Sequence, residues 1–512
     1  MELAERSYLL INKMYYEEHQ KEIFHNAFCR IEGFSFILFT GSALKCTHIF
    51  ENNSRILFFV GDFYNPDHPE LNNEETALSL YQPGISFEDI IDRTYNLFGK
   101  WFLVEDSSNG LKIFGDPCCT KSIKYHAKLP IISDMSSIIA DIANEQCFYD
   151  LKSTNNDYYR FAVNDYRNTG WWTGKSTAFQ NIFSILPNHI YSNNKSVIDV
   201  KRYLPAKIQN FTNENCYIEY CYERSSQLFK GFFSSLSNRS KIALTLTGGM
   251  DSRMLWAASH KALVEVHTFI SLHGGKTLSH PDVVIAKKLC SLLNIELNIY
   301  TPIAKQKTID KIKKYFPEIS SAQIFAEMDY TEHFDENFKD TVVVNGWIPE
   351  VISRYYHRRL LFITPSGLSD LARHGGDFAK TENEIWLNNV KNASRPRGYS
   401  ILDLFYWENR AGRWAAQTTN ITDLYIDMLW GTNCREFFDI WMQLKNTRLR
   451  QYPTRNCIAS LTRMFGEEYL SVEYDSPEKF MHKVAYFLDA HGIGLPFRQM
   501  EYILRRLKRK IR

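Results

Sequence analysis

The chain has 512 residues, 44% of them hydrophobic and 23% charged, and 60 Lys and Arg stand against 58 Asp and Glu for a net charge of +2. That length exceeds what one core can serve and predicts roughly two to four domains. The near-neutral balance excludes a global field drawing the chain to nucleic acid or to a membrane surface. Ten cysteines lie scattered without a CxxC pair, which argues against a zinc ribbon, a redox dithiol or a disulfide framework and for a reducing compartment. No apolar run approaches the ~20 residues that span a bilayer, so no integral membrane segment is expected. The opening Met1-Glu-Leu-Ala-Glu-Arg lacks the apolar core of a signal peptide, and a cytoplasmic home is expected.

From the N-terminus, short aromatic and β-branched runs at Gly33–Thr40, Ile56–Val60, Lys100–Glu105, Leu111–Phe114, Leu129–Ser133 and Ile190–Tyr191 predict strands. Asp106-Ser-Ser-Asn-Gly110 between two of them is a hairpin signal. Helical periodicity covers Ser86–Phe98 and Ser136–Asn144. Strands with a few helices between them suggest an α+β layered domain. A polar, aromatic stretch, Gln209–Asn238, then predicts a helix with Tyr217, Tyr220, Leu228 and Phe232 on one stripe.

Lys241-Ile-Ala-Leu-Thr-Leu-Thr-Gly-Gly-Met-Asp-Ser-Arg253 reads as a buried strand, a glycine pair and a helix start. Such a junction presents backbone N–H groups backed by the positive end of a helix dipole, a setting for phosphate. It is neither the Gly-x-x-x-x-Gly-Lys-Ser/Thr loop nor GxGxxG. A plain tight turn, with glycines supplying positive φ, is the competing reading of the same residues. Further strands are predicted at Val264–Ser271, Leu297–Tyr300 and Thr341–Asn345, with an amphipathic helix Val283–Leu293 capped by Ser279-His-Pro-Asp282. That alternation signals a parallel doubly wound sheet, with ligands at the carboxyl ends of its strands. Candidate phosphate-binding residues are Leu246, Thr247, Gly248, Gly249, Asp251, Ser252 and Ser271, and Asp251 is a candidate Mg²⁺ ligand.

Further on, Arg354, Tyr355, Tyr356, His357, Arg358 and Arg359 form a basic and aromatic cluster. It reads equally well as a solvated helix face or as an anion-recognition surface. His374-Gly-Gly-Asp377 carries too few ligands for a metal and is expected to be a loop. Helices are predicted at Trp386–Val390, Leu402–Trp414 and Asn433–Leu444, followed by Arg448, Arg450 and Arg455. The segment 467–512 is predicted helical, and its basic run Arg505–Arg512 reads as a solvated helix end.

Several of these stretches carry a resemblance. Val60-Gly-Asp-Phe-Tyr-Asn65, Gly99–Asp106, Phe114–Tyr125, Ser133-Asp134, Thr177–Asn188 and Arg202-Tyr203 are similar, in order and spacing, to motifs of class II glutamine amidotransferase domains. Leu246–Ser252 and the helix from Asp282 through Ile295 resemble the ATP pyrophosphatase domain of asparagine synthetase-like proteins, a family that includes asparagine synthetases, β-lactam synthetases, lasso-peptide cyclases and enzymes encoded with polysaccharide biosynthesis. The resemblance spans about residues 55–465. It implies an Ntn-like layered domain over residues 1–204, a HUP-like α/β domain with a helical C-terminal part over 205–465, and a helical basic tail over 466–512. It further implies ATP and Mg²⁺ as cofactors, Gly346 beside the phosphates, Glu350 sharing Mg²⁺ with Asp251 as the catalytic carboxylates, and adenylation of a carboxylate, which an amine or ammonia then opens to an amide.

Two departures qualify that expectation. The amidotransferase nucleophile is an N-terminal cysteine, whereas position 2 is Glu2 and the first cysteines are Cys29 and Cys46, so no glutaminase activity is expected. Trp347 stands where the resemblance calls for a proton-transferring Glu, and no lysine matches the family's catalytic lysine. The expected partners are a small-molecule, sugar or peptide carboxylate, an amine donor, and a second copy or partner protein; no nucleic acid is expected. The rival expectation is a catalytically inactive nucleotide-binding or scaffold homologue.

Overall fold

The computed structural model describes residues 3–19, 29–51, 54–147, 157–166, 169–194, 197–204, 211, 213–272, 276–301, 306–317, 338, 340–356, 363–394, 398–444, 449–450 and 455–473. Among them are seventeen strands: β1 (Tyr8–Asn12), β2 (Cys29–Glu32), β3 (Phe36–Thr40), β4 (Cys46–Glu51), β5 (Arg55–Tyr64), β6 (Phe98–Ser107), β7 (Gly110–Gly115), β8 (Lys124–His126), β9 (Ile131–Ser133), β10 (Ile182–Ser184), β11 (His189–Asn194), β12 (Val197–Arg202), β13 (Lys241–Thr245), β14 (His267–Ser271), β15 (Asn298–Tyr300), β16 (Thr341–Asn345) and β17 (Asp427–Trp430).

The first twelve form two six-stranded sheets, ordered β10-β8-β9-β1-β3-β2 and β12-β11-β7-β6-β5-β4. Side chains alternate across a strand, and here both faces are apolar. Tyr8 and Leu10 of β1, Phe58 and Val60 of β5, and Phe102 and Val104 of β6 meet between the sheets. Their neighbours in sequence point outward: Leu9 and Ile11 toward the helix Ser136–Ala143, and Leu57, Phe59 and Leu103 toward the helices Asn73–Ser79 and Phe87–Arg93. The result is a helix–sheet–sheet–helix sandwich, the layered domain expected. The predicted hairpin is present, with Ser107 opposite Gly110. The helix predicted over Ser86–Phe98 stops at Arg93, because Phe98 enters β6 opposite Tyr64. Strands β1, β2, β4, β8, β10, β12 and β17 were not legible in sequence.

The third sheet is wholly parallel, ordered β15-β14-β13-β16-β17. The chain builds outward from β13 on one side and then returns to β16 on the other. The order therefore reverses between β13 and β16, and a crevice opens at their carboxyl ends. The helix Glu214–Ser237, capped by the Asn213 side chain, packs Phe229 and Phe232 against Phe98 of the first domain. That contact joins the two-sheet sandwich and the parallel sheet's helices in a shared core.

Charge also crosses the boundary. Asp423 accepts from Lys100 Nζ at 2.5 Å and from Lys121 Nζ at 3.3 Å; Lys100 also reaches Asp427 at 3.0 Å, and Lys121 reaches Asp134 at 2.9 Å. Lys121 is fully buried, and Asp423 and Asp134 nearly so. Burial opposes ionisation of Asp427, but Lys100 more than offsets it and holds the carboxyl down at about 2. A carboxyl depressed by folding stabilises above its unfolded pKa of ~3.9 and loses that contribution as pH falls through its folded value. Asp423→Ala, which leaves each of two buried ammonium groups with one carboxylate in place of two, is expected to cost about 1.5–3 kcal/mol in chemical denaturation. Asp427→Asn is expected to flatten the fall in stability between about pH 4 and pH 2. A cost under about 1 kcal/mol for Asp423→Ala would reduce the network to a surface-type contribution.

Candidate functional site

β13 ends at Thr245, and the helix Met250–Lys261 begins five residues later with Gly249 at its N-cap and no side chain capping its first turn. The first-turn N–H groups therefore keep the polarity of an uncapped helix start. Asp251 and Ser252 stand in that turn. Ser252 Oγ accepts from Thr247 N at 3.1 Å and lies 3.0 Å from Thr247 Oγ1, and Thr247 Oγ1 accepts from Gly249 N at 3.2 Å. Leu246 contributes backbone, its N–H donating to Phe269 O, and its side chain is buried. Ser271 closes β14 in the neighbouring strand end and is buried.

Neither Gly248 nor Gly249 has positive φ, so the plain turn reading does not account for them. Space does. A methyl on Gly248 would lie 3.1 Å from Asp282 Cα and Oδ1. Asp282, at the start of the helix Pro281–Leu292, accepts from Gly248 N at 3.1 Å and pairs with Lys276 at 2.7 Å. The sequence marked Asp282 as part of a cap; its second role, tying that helix to the loop, was missed, as was Lys276.

Gly346 follows β16. A methyl there would meet Ser252 N and Cα at 2.8 Å, so the segment after β16 passes directly over the first turn of the Met250–Lys261 helix. It continues through Ile348, buried and held at φ 72°, into a short 3₁₀ turn, Pro349–Val351. Positive φ in a β-branched residue is a strained conformation of the kind that collects at functional sites. The turn delivers Glu350 toward Asp251: burial raises the Glu350 carboxyl above the usual range, and the Asp251 charge raises it further.

Arg455 answers that pair. Its guanidinium donates Nη1 to both Asp251 oxygens at 2.6 Å, and its charge partly offsets the rise at Glu350. Arg455 sits at φ 45° before the helix Asn456–Phe465, which packs on the Met250–Lys261 helix. Arg253 reinforces this packing, donating to the Tyr469 and Val472 carbonyls. Of the three arginines that the sequence left open here, Arg450 is committed elsewhere. It pairs with Asp403 at 2.7 Å and donates to Ile352 O at 2.7 Å, fixing the turn that carries Glu350. Arg448 lies outside the described residues.

The predicted helix Leu402–Trp414 is interrupted. After Ile401–Phe405 the chain runs as a π-helix from Tyr406 to Ala415 and returns to α-helix at Ala416–Thr422. π-Helical turns are rare and concentrate at functional sites. This one directs Tyr406, Arg410 and Trp414 toward the segment after β16: Tyr406 contacts Tyr355 and Tyr356, Arg410 lies 5.7 Å over the Tyr355 ring, and Trp414 stacks on Trp347 at 4.7 Å. Burial and then Glu350 push the Tyr406 phenol well above its ordinary value. His357, Arg358 and Arg359 of the predicted cluster lie outside the described residues, as do Gly274, Gly275 and the basic run Arg505–Arg512. His374 is buried and accepts from or donates to Thr169 Oγ1 at 3.1 Å; desolvation, then the Arg410 charge, drives its pKa down to about 3. It is a neutral packed residue at a turn, as expected.

No protein-family model matches the chain, and neither does any curated protein. Among solved structures it is similar to a glutamine phosphoribosylpyrophosphate amidotransferase from B. subtilis complexed with ADP and GMP, at 9% identity over 69% of this chain and 71% of that one, with a TM-score of 0.23. It is also similar to a structure of the allosteric regulatory enzyme of purine biosynthesis, at 9% identity over 65% and 88% of the two chains, with a TM-score of 0.26. Superpositions this loose carry no chemistry to this chain.

Asp251 and Glu350 bring two carboxylates into one site. Raising a carboxyl's pKa on folding means that stability is lost as pH climbs from its unfolded value through its folded one. Glu350→Gln is therefore expected to stabilise the ligand-free protein at neutral pH by about 1 kcal/mol, a gain that vanishes below the ordinary carboxyl range. Thermal unfolding at the two pH values checks it; a loss of stability at pH 7 would show that the pair is not in conflict.

Proposed function

We propose that this protein is an ATP-dependent, amide-forming enzyme that activates a carboxylate as its adenylate, with no glutaminase activity of its own. The observation that carries this reading is the convergence, at the reversal point of the parallel sheet, of an uncapped helix start with Asp251, Ser252 and Glu350. The first-turn N–H groups and the Ser252 hydroxyl suit a pyrophosphate. The Asp251–Glu350 pair fits Mg²⁺, which takes one or two carboxylates and completes its shell with phosphate oxygens and water; among the described residues no larger cluster of His, Cys, Asp and Glu competes with it. When bound, the ion would supply charge neutralisation at the phosphates.

A carboxylate oxygen of the substrate attacks the α-phosphorus of ATP, the bond to the bridging oxygen breaks, and pyrophosphate leaves with the electron pair. An amine then attacks the acyl carbon, forming the amide, expelling AMP and giving up a proton. The protein's part is positioning and preorganised charge. Arg455 stands where a guanidinium can pass from Asp251 to phosphate oxygens as nucleotide and metal arrive. Each described cysteine whose pKa is displaced is displaced upward by burial, Cys46 to about 12 and Cys290 to about 11. Such thiols are poor nucleophiles, which supports an amine drawn from solution rather than from glutamine.

ATP–pyrophosphate exchange over a panel of acids tests the reading. Exchange is expected with at least one acid and is expected to drop at least about 100-fold in Asp251→Asn and Arg455→Ala. Nucleotide binding by calorimetry without exchange across the panel would favour the inactive nucleotide-binding homologue, a role the Arg455–Asp251 clasp would also suit. The absence of both would remove the phosphate assignment.

A further inference from the structure

The chain has ten tryptophans. Eight are buried: Trp101, Trp171, Trp172, Trp256, Trp386, Trp407, Trp430 and Trp441. The two that keep partial exposure, Trp347 and Trp414, are stacked on each other with centroids 4.7 Å apart and planes at 28°. Trp430 backs both, at 5.1 Å from Trp347 and 6.0 Å from Trp414. The three centroids thus form a triangle, not a column, so neither outer indole is sandwiched between the other two.

The platform is rigid. Trp430 Nε1 donates to Thr419 Oγ1 at 2.6 Å, Trp347 N donates to Asn345 Oδ1 at 3.2 Å, and Thr432 Oγ1 donates to Trp347 O at 3.1 Å. It also adjoins the reacting position. Trp347 is bonded to Gly346, which lies against Ser252, and is three residues from Glu350. Trp414 is one π-helical turn from Arg410, whose guanidinium interacts with Glu350 and with the phenols of Tyr355 and Tyr406.

An aromatic acid would call for an apolar enclosure on both faces. Here the partly exposed indole pair lies one helical turn from Arg410, whose guanidinium sits over the Tyr355 ring, which suits a ring with one apolar C–H face and an edge of hydroxyls. We propose that Trp347 and Trp414 form the platform on which the carboxylate substrate is held, and that this substrate is a pyranose sugar acid of the uronate class, with Arg410 facing its polar edge. The assignment rests on the carboxylate-activating reading above for its chemistry, but on the indole pair alone for its binding.

Saturation-transfer NMR on the full chain with glucuronate as the probe tests binding without requiring turnover. Saturation is expected on the protons of one ring face, and Trp414→Ala is expected to raise the half-saturating glucuronate concentration roughly tenfold, with Trp414→Phe retaining most of the affinity. ATP affinity by calorimetry is expected to be unchanged in both variants, and the Phe variant keeps the question answerable should the Ala variant not fold. No saturation by glucuronate, saturation indifferent to Trp414, or a parallel loss of ATP affinity would each overturn the assignment; the last would give the platform to the nucleotide base. Glucuronate binding without ATP–pyrophosphate exchange would leave the sugar-acid platform standing and count against carboxylate activation alone. Exchange restricted to benzoate or to aspartate would do the reverse.

Discussion

Two carboxylates drawn into one half-buried site repel each other, and a fold tolerates that where a cation or a shared proton offsets the repulsion. Asp251 and Glu350 stand in this relation, and the surrounding architecture is arranged to impose it. Gly346 has no Cβ because the segment carrying Glu350 must cross within contact distance of Ser252. Ile348 accepts a left-handed backbone so that the turn after it aims inward. Arg450 then holds that turn from behind through Ile352 O, with its own charge matched by the buried Asp403. A well-made core thus keeps one unfavourable pair together, and Arg455 offsets it through both Asp251 oxygens.

Legibility in the sequence follows the range of the forces involved. Strand–loop–helix order around Lys241–Arg253 depends on local patterning, and the strands β13 to β16 appeared where their apolar runs placed them. The same holds for β5, β6 and β7, whose runs are apolar and aromatic-rich. β1, buried on both faces like β5 and β6, has five residues against their ten and so offers a shorter run and no polar–apolar alternation. β17 was hidden because it follows a helix directly and has only four residues.

The site divides in the same way. Asp251, Ser252, Gly346 and Glu350 were readable because each stands at a strand end beside a glycine. Whether Arg448, Arg450 or Arg455 served the site was not, because the choice is made by packing of the Asn456–Phe465 helix against a helix two hundred residues earlier. Of the two readings of the loop's glycine pair, the tight turn with positive φ does not hold. Backbone freedom is not used there; room for Asp282 is.

The π-helix from Tyr406 to Ala415 joins these observations. An α-helix through Leu402–Trp414 would advance its side chains by 3.6 residues per turn, so Tyr406, Arg410 and Trp414 would drift around the axis by some 40° with each four-residue step. In the wider π-turn the drift runs the other way, and the three residues contact the segment Trp347–Tyr356. Gly412 makes room for it, since a methyl there would lie 2.2 Å from the Pro187 ring of the first domain. Glu408, on the opposite side, accepts from Arg202, Asn188 and Trp386 and is fully buried. The first domain therefore grips one face of the π-helix while the other face lines the crevice. That domain thus serves the site physically, by holding in register the element that supplies Arg410 and Trp414.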